Sequence, residues 1–165
     1  MLRLQNDIKQ FEERTIKNKE LTNVSLEFPN EGSQNPLHIV IKPQSGYYRG
    51  SRLTFIYTIP EEYPYKAPIV ECKQRVFHPN LDPVNRAVCL SILKDKWQAN
   101  NELIEVIYGI WQILECLNHG DLEKPLDARA AQIMKDDPKK FQEILDKTLK
   151  GQSFENRQFD NVWLK

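Results

Sequence analysis

The chain has 165 residues, a length that fits one domain able to bury its own core. Hydrophobic residues make up 40% of it, too many for a disordered chain. Lys plus Arg balance Asp plus Glu at 23 each, so no global charge argues for nucleic acid or a membrane surface as partner.

The start, Met1-Leu2-Arg3-Leu4-Gln5-Asn6-Asp7, is too charged for a signal peptide. No apolar run approaches the ~20 residues that span a bilayer. Leu4, Ile8 and Phe11 fall at i, i+4 and i+7, with Arg3, Asp7, Lys9 and Glu12 mostly off that face, which predicts a short amphipathic first helix. Leu37, Ile39 and Ile41, then Leu53, Phe55, Tyr57 and Ile59, alternate with their neighbours as strands with one buried face do. Leu21 to Phe28 and Ile69 to Lys73 are weaker strand candidates. Turn residues separate these runs closely, at Asn30-Glu31-Gly32-Ser33, Gly46 and Gly50, so the strands form an antiparallel meander with no room for parallel crossovers.

Beyond Cys89 the period changes. Leu103, Val106, Ile107, Ile110, Leu114 and Leu117 mark a helix with a broad apolar face. Leu126 to Met134 reads as a second helix, with Asp127 as N-cap. Asp137-Pro138 opens a third, with Phe141, Leu145 and Leu149 as its buried stripe and Gly151 at C′. The fold class is α+β, and residues 1–165 form a single domain with a polar-aromatic tail at 152–165. Leu53, Phe55, Ile107, Ile110 and Leu114 should hold sheet against helix.

Three cysteines, Cys72, Cys89 and Cys116, make a poor disulfide framework, and with His38, His78 and His119 they form no CxxC or HxxxH pair. No metal site is expected, and the cytoplasm and nucleus are the expected location. Cys72 and Cys116, in apolar strand and helix settings, read as structural. Cys89 differs by its context. It lies in Val88-Cys89-Leu90-Ser91-Ile92-Leu93, nine positions after the rigid turn His78-Pro79-Asn80. A thiolate takes an acyl group as a thioester, and a nearby amide N–H stabilises the oxyanion formed when that thioester is attacked. Of the basic residues near Cys89 in sequence, Arg86 and Lys94 come closest, so strong thiolate activation is not evident.

HPN followed by Cys-Leu-Ser-Ile-Leu and Trp97, with Tyr63-Pro64-Tyr65-Lys66-Ala67-Pro68 upstream and Pro125-Leu126 downstream, resembles the active-site signature of the ubiquitin-conjugating enzyme family. The similarity runs from Leu2 to about Gly151. It implies the conjugating-enzyme fold: an N-terminal helix, a four-stranded antiparallel meander, an active-site loop, then three helices. It implies Cys89 as the thioester nucleophile, Asn80 as oxyanion stabiliser and His78 as structural support of the turn, with no cofactor, since ATP is used by the activating enzyme. It also places Arg3, Lys9, Tyr65, Gln98 and Ala99 on the surface that meets the activating enzyme and a RING-type ligase.

The chain departs from the family pattern in several loops. Lys124 stands where an acidic residue normally precedes Pro-Leu, leaving Asp121 and Glu123 as candidates for activating the acceptor lysine. Gln98 follows Trp97 where a Pro is common, Leu117-Asn118-His119-Gly120 replaces an Asp-Pro-Asn stretch, and Ala67 replaces one Pro. The HPN-to-Cys gap is one residue longer and contains Pro83. Lys42-Pro43-x-x-Gly46-Tyr47-Tyr48, Val106-Ile107-Tyr108-Gly109 and Phe159-Asp160-Asn161-Val162-Trp163-Leu164-Lys165 resemble the branch that handles the Nedd/Rub-type modifier. That branch implies transfer to a lysine of a cullin-type substrate, while the balanced charge and the lack of a long apolar run lead to the expectation of no nucleic acid and no membrane as partner. It usually carries a polar extension ahead of the first helix, whereas here the helical pattern follows Met1 directly. Two alternatives stay open: the same enzyme for ubiquitin or another ubiquitin-like modifier, and an inactive variant serving as a binding module.

Overall fold

In the computed structural model, residues 2–17, 21–94, 96–117 and 124–164 are described. The amphipathic pattern at the start folds as α1 (Leu2–Lys17), with Leu4, Ile8 and Phe11 buried. Asp7, expected off that face, is buried too. Its carboxylate is satisfied there by Arg3 Nε at 2.8 Å and by the Tyr63 hydroxyl at 2.6 Å, which offsets the cost of taking the charge out of water.

The alternating runs become β1 (Val24–Glu27), β2 (Leu37–Ile41), β3 (Leu53–Thr58) and β4 (Ile69–Cys72). They pair in sequence order as an antiparallel meander, with Ile39 opposite Phe55 and Phe55 opposite Cys72. Leu37, Ile39 and Ile41 of β2 and Leu53, Phe55 and Tyr57 of β3 are sealed from solvent. The period-two reading gave each strand one buried face. Val40 and Thr54 are nevertheless buried on the other side, where Thr54 bonds through its N–H to Gln74 Oε1 and through its carbonyl to Lys73 N–H.

The change of period after Cys89 marks three helices: α2 (Leu103–Glu115), α3 (Ala128–Asp136) and α4 (Pro138–Thr148). Glu102 and Glu105 close a capping box at the start of α2. Leu103, Val106, Ile107, Ile110 and Leu114 are sealed in the same apolar cluster as the inner faces of β2 and β3. Asp127 caps α3 by accepting from the Arg129 and Ala130 N–H groups, and Asp137 caps α4 by accepting from Lys140 N–H, with Pro138 in the first turn. Two expectations shift. Gly151 takes a left-handed φ of +81°, but one position later than C′, because Leu149 is the C-cap. Cys116, expected to be structural, is exposed at the C-cap of α2, where the apolar face has ended.

The C-terminal end of α2 is held by the chain around it. Glu115 Oε1 accepts from Asn23 Nδ2 at 2.7 Å and from Gln44 N–H, and Oε2 accepts from Ser45 Oγ. Gly46 (φ +70°) makes that approach possible: a Cβ there would sit 2.6 Å from the Glu115 carbonyl oxygen. The tail folds back. Arg52 N–H donates to Val162 O, Leu164 N–H to Gly50 O, and Val162 N–H to Leu149 O. Phe159 and Val162 join the core.

Phe55 lies at the centre of this core, between β2 and β4. Phe55→Ala should lower the unfolding free energy by about 3–5 kcal/mol, the cost of a large cavity in a close-packed interior. Urea unfolding of the two proteins measures it.

Candidate active site

From β4 the chain runs through buried Val76 and Phe77 into the His78-Pro79-Asn80 turn. It then forms a small hairpin in which Leu81 pairs with Val88, while Ala87 pairs back with Glu71 of β4. Pro83 sits at its tip. There Asp82 Oδ1 accepts from the Val84 and Asn85 N–H groups, and Arg86 turns back with a φ of +61°. Those bonds hold the Asp82 carboxyl below its ordinary range. Across this hairpin Cys89 N–H donates to Asn80 O at 2.8 Å and ties the cysteine to the turn.

His78 is sealed from solvent. Its Nδ1 lies 2.8 Å from Asn80 N–H, an obligatory donor, so Nδ1 is the acceptor and the ring proton sits on Nε2. Nε2–H then donates to Ile113 O at 3.0 Å. Ile113 is in the last turn of α2, where carbonyls lack intrahelical partners, so the ring closes a helix end with one nitrogen and a loop with the other. Burial lowers the imidazole to about 4. With both nitrogens engaged, His78 has no free lone pair for general-base work.

Tyr48 supports this ring. It stacks on His78 at 4.8 Å between centroids, and its hydroxyl donates to Phe77 O at 2.9 Å. On the other side, Pro79 O accepts from both Leu126 and Asp127 N–H. Asp127 Oδ2 is bound by Arg157 of the tail at 2.6 Å, and the Arg157 guanidinium lies over Phe77 and Phe159. Sequence reasoning found Asp127 as a helix cap but neither this second role nor Tyr48, because the partners are remote in sequence and carry no local signal.

The Cys89 thiol is half-buried at the side of an open groove of about 840 Å³, which Asn80, Lys94, Lys96, Tyr108 and Lys124 also line. Asn80 itself is buried. The thiol points to Lys124 O at 3.8 Å, and Lys94 Nζ lies 3.3 Å from Sγ. Arg86, the other nearby cation in sequence, instead points its guanidinium at Lys73 O. A short 3-10 turn (Ser91–Leu93) follows Cys89 after Leu90. Cys72, by contrast, is sealed in β4, and burial pushes its thiol up to about 12. Asp121 and Glu123 lie outside the described residues. No group of three or more His, Cys, Asp or Glu among the described residues has metal-site geometry.

The segments carrying Arg3, Lys9, Tyr65, Gln98 and Ala99 meet at one place. Tyr63 bonds Asp7 of α1, Trp97 Nε1–H donates to Pro64 O at 2.7 Å, and the Tyr63 and Trp97 rings lie 5.9 Å apart. Burial, with Asp7 beside it, raises the Tyr63 hydroxyl to about 12. Arg3 turns inward, donating to Ala99 O and Asn101 O as well as to Asp7. Lys9 and Gln98 are exposed, Ala99 is half-buried and Tyr65 is 83% exposed.

A meander backed by helices, with an HPN turn braced against the last turn of α2 beside a half-buried thiol, defines a conjugating-enzyme core. The sequence profile described as "Ubiquitin-conjugating enzyme" matches residues 3–149, and the chain belongs to that family. Among its relatives, the NEDD8-conjugating enzyme Ubc12 of Arabidopsis thaliana is 35% identical over 129 residues, 77% of this chain and 67% of that protein. NEDD8-conjugating enzyme UBC12 of Eremothecium gossypii is 32% identical over 141 residues, 86% of this chain and 74% of that protein. The solved structure of S. cerevisiae Ubc12 superposes with a TM-score of 0.81 at 28% identity, covering 98% of this chain and 84% of that one. The chain spans about two thirds of the length of the Arabidopsis relatives.

The buried imidazole has a pH signature. His78 titrates near the ordinary 6.5 when unfolded and at about 4 when folded. Between those values the unfolded state binds the extra proton, so the contribution is complete above 6.5 and is lost as pH falls through 4. Unfolding free energy should therefore drop between pH 6.5 and 4 by on the order of 3 kcal/mol more in the wild type than in His78→Asn. Denaturant titrations of both proteins at several pH values read this difference.

Proposed function

We propose that this chain accepts a NEDD8-type modifier from its activating enzyme as a Cys89 thioester and passes it to a substrate lysine. The observation that carries the chemistry is the Cys89 thiol, half-exposed in one groove with Asn80 and tied to that residue through its own N–H. The choice of modifier rests on the relatives, which are named for NEDD8 conjugation.

Thioester exchange between two thiols needs little activation, because leaving group and nucleophile are alike. The harder step is attack by an amine. The oxyanion formed then would accept a hydrogen bond from the Asn80 side chain, held by the His78 and Pro79 contacts described above. The acceptor lysine is placed on a cullin-type scaffold by a RING-type ligase. Exposed Tyr65, with Lys9 and Gln98 nearby, supplies the docking surface for the ligase and the activating enzyme. The nucleotide is used by the activating enzyme, so this chain needs no cofactor. The cytoplasm and nucleus are the compartments where such a reaction would run.

Charging with ATP and matched activating enzymes for NEDD8 and for ubiquitin, on a non-reducing gel, tests the reading. A reducible adduct with NEDD8, lost in Cys89→Ala, is the expected result. An adduct with ubiquitin alone would keep the chemistry and overturn the modifier. In discharge to an external amine, Asn80→Ala should slow the rate by on the order of 10²–10³. An unchanged discharge rate would remove Asn80 from the reaction.

A further inference from the structure

The C-terminal tail grips the His78-Pro79-Asn80 turn from two sides. On the entering side, Arg75 N–H donates to Asp160 Oδ2 at 2.8 Å, and Asp160 N–H donates back to Arg75 O. On the far side, Arg157 Nη1 donates to Asp127 Oδ2 at 2.6 Å, and Asp127 N–H donates to Pro79 O at 3.0 Å. Asp127 is buried and its Oδ1 is committed to the first turn of α3, so Oδ2 is the oxygen left for a cation. A tight turn aims Arg157 there. Phe154 and Arg157 exchange both backbone hydrogen bonds, and Glu155 and Asn156 between them take φ values of +45° and +62°, as in a mirror-image hairpin turn. The guanidinium then lies over Phe77 and Phe159, with Nη2 buried. A charge-assisted bond in such a place is stronger than one in water. The neighbouring Arg129–Glu155 pair is far more exposed and joins the outside of α3 to the tail.

Resting on the reading of Cys89 as thioester carrier and Asn80 as oxyanion stabiliser, we propose that Arg157 is a positioning residue for amine attack. Through Asp127 it fixes the Pro79 carbonyl, and with it the residue that follows. The Asn80 carbonyl in turn holds the Cys89 N–H, so a turn that shifts moves the oxyanion donor and the cysteine backbone together. An oxyanion donor works only where it is aimed before the reaction, and a displacement of about 1 Å costs up to ~10²-fold in rate. Exchange between two thiols needs little such help. Loading of Cys89 and discharge from it are therefore separable, and the docked tail governs discharge.

The test compares the full chain with Arg157→Gln, Asp127→Asn, their double variant and Glu155→Gln. Asn is a good N-cap, so Asp127→Asn keeps the start of α3 and removes the charge that Arg157 meets. Each protein is charged with NEDD8, ATP and the activating enzyme, stripped of ATP, and discharged to free lysine beside Asn80→Ala. Discharge should slow by roughly tenfold in Arg157→Gln and in Asp127→Asn, with charging within about twofold of the wild type. The double variant should lose well under the product of the two, since both break one link. Glu155→Gln should discharge as the wild type does. In nitrogen-15 spectra of the uncharged proteins, the Asn80 and Cys89 N–H signals should move in the slowed variants and stay in place in Glu155→Gln. Unchanged discharge in Arg157→Gln overturns the inference and, with Asn80→Ala slowed, leaves the proposed function standing. Charging and discharge lost in equal proportion, as partial unfolding gives, overturn it too. A wild type that no modifier charges sinks the proposed function instead. The amide signals need no charging and then decide this inference alone: moved signals support it, and unmoved ones overturn it.

Discussion

The buried ring of His78 joins three pieces of chain that are distant in sequence. One nitrogen takes the Asn80 N–H and the other gives its proton to Ile113 O of α2, while Tyr48 covers the ring face. A charged imidazolium would be two donors, and the Asn80 N–H would then face a donor in a place water cannot reach. The turn that presents Asn80, and through the Asn80 carbonyl the backbone of Cys89, therefore depends on a histidine that stays neutral. The residue that looks most like a base is the one least able to act as one.

The other contacts extend this constraint outward. Pro79 O is held by the N–H groups of Leu126 and Asp127, and Asp127 is held by Arg157. The tail thus reaches the His78-Pro79-Asn80 turn through two hydrogen-bonded links. On the far side, Gly46 lets the β2–β3 connection lie against the end of α2, which brings Tyr48 under His78. The buried carboxylate of Asp7, bonded by Arg3 and Tyr63, joins α1 to the Tyr63–Pro68 loop, and Trp97 closes onto the same loop through Pro64. The contacts named pair the buried polar groups that make them, although Arg157 Nη2 is buried without a partner among the described residues, and paired networks of this kind favour a unique arrangement.

Much of the fold was legible in the sequence because its signals are local. Alternation at Leu37–Ile41 and Leu53–Tyr57, the wide apolar stripe of α2, and the caps Asp127 and Asp137 are properties of neighbouring residues, and the structure has strands, helices and caps there. What the sequence hid depends on long-range partners. Asp7 looks like a solvated helix residue until Tyr63 is brought to it. Cys116 follows an apolar run yet lies just where α2 emerges into solvent. Arg86 and Lys94 are similar as charged neighbours of Cys89, and the turn at Ser91–Leu93 decides that only Lys94 comes to the sulfur. The docked tail had no readable signal, since its pairing with Gly50, Arg52 and Leu149 is set by the finished core.

The most direct measurement is the nitrogen-15 spectrum of the His78 ring across pH. Nδ1 should show the shift of an unprotonated acceptor and Nε2 that of a protonated donor. Both should hold steady from neutral pH down towards 5, because burial lowers the group to about 4. A ring protonated on Nδ1, or one that titrates near the ordinary histidine value of 6.5, would contradict the account at its centre.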